Sequence, residues 1–194
     1  MEPATKPVNG KLVALIAMYA ATCVASAYML ILIPNIEFFT MMIFLGGLLF
    51  GRAIGATNGF LASLLYFVFN IYGLSPLPLL GIQVGAYTLL GFTGGVLKGA
   101  SFVARVTPRS QAMFGLIGVA FVLAYTLVAD FTFSVIMGIN FLAWVLQGMI
   151  FTLLLVASNL ITFALLLPLV LVPVQKQVAS LFPSLEDIKV DESE

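Results

Sequence analysis

The eight Lys and Arg residues of this 194-residue chain stand in every second gap between its long apolar runs. Lys6 and Lys11 precede the first run, and Arg52 separates the second from the third. Lys98, Arg105 and Arg109 lie between the fourth and the fifth, and Lys176 and Lys189 follow the last. The intervening gaps hold no base. Basic residues are retained on the cytoplasmic side of a bilayer, so the alternation is the positive-inside pattern of a chain that crosses an even number of times. Only Glu37 and Asp130 are left as charged side chains on the outer side. The expected class is all-α: a polytopic protein of the cell membrane with six transmembrane helices and both termini cytoplasmic.

A crossing helix needs about 20 mostly apolar residues, because 1.5 Å per residue must cover roughly 30 Å of hydrocarbon. Hydrophobic residues make up 62% of the chain and charged residues 8%, with a mean hydropathy of +1.17. Six spans then leave only loops and tails. The predicted spans are Leu12–Ile33, Ile36–Phe50, Ala53–Ile71, Leu79–Leu97, Ala112–Asp130 and Phe141–Val172. Residues 12–174 form one membrane domain between a short cytoplasmic segment, 1–11, and a cytoplasmic tail, 175–194. That tail carries Glu186, Asp187, Asp191, Glu192 and Glu194 and reads as solvated. The first run continues without a break to Ile33, the length of a span rather than of a cleaved leader. Arg52 between Gly51 and Gly55 reads as the turn of a tight helical hairpin, its charge snorkelling to the inner interface. The second span is then about 23 Å long. It must be sheltered by protein or thin the bilayer locally.

The chain lacks the usual means of catalysis. It has no histidine, which removes the commonest general base and metal ligand together. Ser63, Ser134 and Ser158 have no base to activate them. Asp130 stands alone where an intramembrane aspartyl protease needs a pair, and no phosphate-binding Gly-Lys-Ser/Thr loop is present. No catalytic residue, metal site or cofactor is expected. The zero net charge gives no footprint for nucleic acid. The lone Cys23 excludes an internal disulfide.

Polar side chains do gather at the outer ends of the spans. Asn35 and Glu37 lie in the first outer turn and Asn70 ends the third span. Gln83 opens the fourth, with Tyr87 a turn deeper on the same face. Asp130 ends the fifth. Asn140 precedes the sixth, where Trp144 and Gln147 stack at i, i+3. An amide facing lipid costs up to a few kcal/mol, so the set is expected to face inward. A few directed polar groups among aromatics describe a small-molecule pocket; an interfacial Trp/Tyr belt with helix caps would use some of the same residues. Two acids and no base favour a neutral or cationic ligand. A second pattern is the small-residue stripe Ala17, Ala21 and Ala25, with Ala14 beside it. It allows another helix to approach closely, either within this bundle or from a partner. The glycines of the fourth span, Gly81, Gly85, Gly91, Gly94 and Gly95, are assigned to packing inside the bundle.

Several segments resemble one family. Ile33-Pro34-Asn35-Ile36-Glu37-Phe38 after helix 1, Phe50-Gly51-Arg52-Ala53-Ile54-Gly55 after helix 2, Asp130 ending helix 5, and Ser158-Asn159-Leu160-Ile161-Thr162-Phe163 in helix 6 look like the substrate-binding S component of energy-coupling factor (ECF) transporters. The resemblance covers roughly Lys11 to Val174. It implies a subunit that binds a vitamin or similar micronutrient from outside and docks on a transmembrane T component coupled to two cytoplasmic ATPase subunits. The Ala17, Ala21, Ala25 stripe matches the surface that in this family contacts the T component. Metal-specific members use an N-terminal histidine, absent here. The alternatives left open are a ligand-free structural membrane subunit of rod-morphogenesis type and a stand-alone small-molecule carrier.

Overall fold

A computed structural model describes residues 10–103 and 105–181. Lys6, Lys189 and the acidic residues from Glu186 onward lie outside the described residues. The described residues form helices and no strands. In chain order these are α1 (Gly10–Met29), α2 (Phe39–Phe50), α3 (Arg52–Val68), α4 (Leu77–Leu97), α5 (Pro108–Met137), α6 (Phe141–Ile161) and α7 (Leu167–Leu181). A π-turn, Thr162–Leu166, joins α6 to α7 in one rod. α1, α4, α5 and the α6–α7 rod are long and apolar enough to cross a membrane. α2 and α3, with 12 and 17 residues, are shorter.

The short α2 forms the centre. Phe39, Ile43, Phe44 and Leu48 on it are fully buried, as are Gly46 and Gly47. A helix apolar on every side needs protein on every side, and α1, α3, α4 and α7 supply it. Shelter by protein, rather than exposure to thinned lipid, is thus how the fold accommodates this segment.

Glycine sets how close the surrounding helices come. A Cβ on Gly47 would collide with the Gly91 carbonyl, one on Gly55 with the same carbonyl, and one on Gly59 with the Tyr87 carbonyl. Gly94 likewise abuts Phe44, and Gly95 abuts Arg52. Along α3 and α4 the register runs 52 to 95, 55 to 91 and 59 to 87, so these two helices are antiparallel and touch backbone to backbone. Small residues permit that approach and its dense dispersion contacts. Gly91, Gly94 and Gly95 serve the packing role expected of them. Gly81 and Gly85 do not: they face open space beside Phe60, Leu89 and Phe92.

Several boundaries differ from the sequence expectation. α1 stops at Met29, and hydrogen-bonded turns carry the chain through Leu30–Pro34; Pro34 disfavours helix at the residue before it. α5 continues two turns beyond Asp130 to Met137, where Gly138 closes it in a left-handed cap. Asp130 therefore sits on the body of the helix, not at its end, because nothing in Phe131–Met137 breaks a helix. α7 extends past Val172 to Leu181 although Pro168 and Pro173 lie on the way. Pro168 has no N–H for the carbonyl four residues back. The π-turn stands immediately before it, with the Leu167 N–H donating to Thr162 O instead.

Among the described residues the charges separate by end. Lys11, Arg52, Lys98, Arg105, Arg109 and Lys176 stand where α1, α3 and α5 begin and where α2, α4 and α7 finish. Lys98 Nζ donates to Leu49 O at 2.6 Å, closing the last turn of α2. Glu37 and Asp130 stand toward the other end, where Tyr28 Oη donates to Phe69 O and Tyr72 Oη to Ile31 O. The outward faces of α5 and α6 are apolar, including Leu116, Leu123, Leu127, Leu146 and Leu153. Exposed apolar surface on this scale marks contact with lipid or protein rather than water.

Cys23 is the chain's single cysteine and is fully buried, so the rate at which a thiol-reactive dye labels it reports unfolding. Gly47→Val is expected to lower the unfolding midpoint in a dye-monitored melt by an overpacking cost of about 1–3 kcal/mol or more. Gly85→Ala, which meets no atom within 4 Å, should leave it unchanged or raise it. Equal midpoints for Gly47→Val and the parent would refute the backbone contact.

Candidate functional site: two adjoining cavities at the acidic end

The α1–α2 connection folds over the end of the bundle and builds the site. Asn35 adopts φ +60, a left-handed conformation that Asn tolerates better than other residues bearing a Cβ. The reversal brings Glu37 down onto the α6–α7 rod. The Glu37 N–H donates to Ser158 Oγ at 3.4 Å. The Thr40 hydroxyl donates to Glu37 Oε1, and the Asn159 side chain also reaches the carboxyl. Thr40 Oγ1 lies 3.3 Å from Tyr87 Oη on α4. One partly buried carboxyl is thus tied to α2 and α6, and through Thr40 to α4. Such ties are needed, because a carboxylate removed from water without hydrogen bonds is costly.

Two cavities open on either side of this turn. The first, about 410 Å³, is lined by Asn35, Glu37, Tyr66, Tyr72, Tyr87 and Tyr125 together with apolar residues of α1 and its turn. Tyr87 and Tyr125 pack with ring centroids 5.5 Å apart. The second, about 540 Å³, is lined by Asn35, Thr126, Asp130, Trp144, Gln147 and Thr152 among others. Asn35, Tyr125 and Leu155 border both. Trp144 Nε1 donates to Asp130 Oδ1 at 3.0 Å, and the indole stacks on Phe133 at 4.6 Å. That bond ties the first turn of α6 to α5. No basic side chain lines either cavity.

The structure brings together most of the residues singled out from sequence. Asn35, Glu37 and Tyr87 share the first cavity; Asn35, Asp130, Trp144 and Gln147 share the second. Gln83 is buried just behind, within hydrogen-bonding reach of the Tyr125 hydroxyl, with its Oε1 unpartnered. Asn70 and Asn140 take other places. Asn70 Oδ1 accepts from the Tyr72 N–H at 2.9 Å and closes the turn after α3. Asn140 caps α6 through the Ala143 N–H at 3.0 Å. Neither lines these two cavities, though the Asn70 side chain is within hydrogen-bonding reach of Tyr66, which lines the first. Both are amides at helix ends, where capping and ligand binding call for the same side chain.

Thr40, Tyr66 and Tyr125 were not among the predicted site residues. Two had a local signal: Thr40 is three residues from Glu37, and Tyr66 is four before Asn70; Tyr125, five before Asp130, lies on a different face of the helix from it. Ser158 and Asn159 carry the resemblance noted above, and the structure gives them a position: they receive the α1–α2 turn. Comparison of the chain with protein-family models, curated proteins and solved structures returns no match.

Thr40→Val keeps the side-chain shape and removes the donor to Glu37. It should destabilise the fold by about 1.5–3 kcal/mol, the range for a hydrogen bond to a charged group, whereas Thr40→Ser should remain near the parent. The Cys23 melt distinguishes them, and coincident melts for Val and Ser would dismiss the Thr40–Glu37 bond as a stabilising contact.

Proposed function

We propose that this chain is the substrate-specificity (S) subunit of an ECF-type importer in a prokaryotic plasma membrane. In this reading the six helical rods cross the bilayer, α2 doing so inside a protein sheath, and both termini are cytoplasmic. The chain binds a vitamin or similar micronutrient at the outer face. It delivers this ligand through a transmembrane T component driven by two ATPase subunits, and has no activity of its own.

The observation that carries the reading is the pair of adjoining cavities at the end of the bundle opposite the basic residues. They combine aromatic walls with a few directed polar groups, the composition of a small-molecule site. A bundle with only a structural task has no use for two carboxyls, two amides and an indole turned toward cavities in this way.

The face of α1 supplies further support. Ala20, Cys23 and Ala27 are buried against the bundle, while Ala17, Ala21 and Ala25 are exposed together with Ala14. The stripe is therefore free of internal packing, and a smooth alanine face suits close approach by a helix of another subunit. The T component is the partner the reading assigns to it.

Co-expression with a T component and its ATPases, followed by affinity purification through the ATPase, tests this. The parent chain should co-purify. Ala21→Trp, which puts an indole in the middle of the stripe, should reduce recovery at least tenfold while leaving the Cys23 melt unchanged. Full recovery of Ala21→Trp would remove the stripe as the docking face. Ligand uptake into liposomes containing this chain alone would overturn the subunit reading in favour of a stand-alone carrier.

A further inference from the structure

We infer that the first cavity takes an organic cation, with Glu37 as its counter-ion and the surrounding tyrosines as its cage. The inference rests on the ligand-binding reading above and narrows the class of ligand.

Two features of the cavity, and one of the residues behind its wall, point the same way. The first is the charge of its wall. Glu37 is the one ionisable carboxyl or base among the lining residues, and the basic residues stand at the far end of the bundle. Its hydrogen-bond partners, Thr40 and Asn159, are neutral. A carboxyl so placed is held by dipoles and has no base in the cavity wall, so a cation entering the cavity favours its ionised form and supplies the matching charge in a medium that screens weakly.

The second feature is aromatic. Tyr66, Tyr72, Tyr87 and Tyr125 come from three helices and a loop to line one space of about 410 Å³, with Phe67 beside them. Ring faces attract cations electrostatically, and several rings around one volume form the arrangement used to hold ammonium groups. An anion in the same space faces the Glu37 carboxyl with no base among the lining residues to offset it.

The third feature is the hydrogen-bonding sense of the polar groups left over. Around this site the buried side-chain atoms without partners include two carbonyl oxygens: Gln83 Oε1, whose side chain lies against Tyr125, and Asn159 Oδ1, whose side chain reaches Glu37. Both residues are more than nine-tenths buried. Neither lines the cavity; both stand behind its wall, and they add acceptors rather than positive charge to the surroundings of Glu37. The second cavity also has a carboxyl, Asp130, but fewer rings in its wall: Tyr125, Trp144 and Phe151.

Three probes of one body separate the possibilities: 2-phenylethylamine, 2-phenylethanol and phenylacetate. They are titrated calorimetrically into the full chain in nanodiscs, with empty nanodiscs as the blank. The amine should bind on the order of tenfold or more tighter than the alcohol, and the carboxylate weakest. E37Q should bring amine and alcohol to within about threefold of each other while its Cys23 melt shows a folded protein. Should E37Q fail to fold, Tyr72→Leu at the exposed rim provides the second test: removing one ring should narrow the same ratio. Equal binding of amine and alcohol by the parent, preference for phenylacetate, or an amine preference that survives E37Q would each overturn the cation assignment while leaving a ligand-binding subunit. A preference abolished by Asp130→Asn and kept by E37Q would move the counter-ion to the second cavity and overturn the role of Glu37. Binding of none of the three overturns the inference. The subunit reading is judged separately, by co-purification with the T component and ATPases.

Discussion

Backbone contact between α4 and the α2–α3 pair is the constraint on which the rest of the structure depends. Gly47, Gly55 and Gly59 meet Gly91 and the Tyr87 carbonyl with no side chain between them. This brings three helices together closely enough to wrap α2, which at 12 residues is too short to span a bilayer alone. With α2 held inside, the nine residues between α1 and α2 have nowhere to go but across the end of the bundle. That path carries Asn35 and Glu37 over the rod formed by α6 and α7. The site thus rests on this packing, and Tyr87 belongs to both: its carbonyl meets Gly59 and its side chain lines the first cavity.

A second dependence joins the polar groups. Glu37 receives the Thr40 hydroxyl and the Asn159 side chain, and its own N–H reaches Ser158. These partners come from α2 and from the last turn before the π-turn. Pro168 removes a backbone donor just beyond that π-turn, and the wider turn begins at Thr162, three residues after Asn159. The pieces that hold the carboxyl and the pieces that interrupt the helix are therefore neighbours. π-turns within α-helices are often found beside functional sites, and this one follows that habit.

Much of this was legible in the one-dimensional pattern, and the reasons differ by feature. Charge alternation predicts which helix ends lie together because each crossing reverses direction. The small-residue pattern in α4 announces close packing, yet it cannot say which glycines are used: Gly91, Gly94 and Gly95 meet other backbones, while Gly81 and Gly85 meet none. The same limit applies to the amides. Asn35 and Gln147 line cavities, whereas Asn70 and Asn140 serve turns and caps. Helix ends also escaped the pattern. Apolar sequence continues past Met29, but the chain turns there, and it continues past Asp130 with no turn at all.

By itself the sequence determined that the chain is helical and apolar, that the bases among the described residues fall at one end, and that Glu37 and Asp130 stand toward the other with Asn35 and Gln147 near them. Hydropathy and charge are properties of residues in order, so order is enough to read them. The tertiary structure alone decided that Glu37 and Asp130 belong to separate cavities, that tyrosines from three helices and a loop surround the first, and that the alanine face of α1 points outward. Those outcomes depend on helix rotation and on which backbones touch. They are set by contacts between residues distant in sequence, such as Glu37 with Ser158 and Gly47 with Gly91, and no local pattern encodes them.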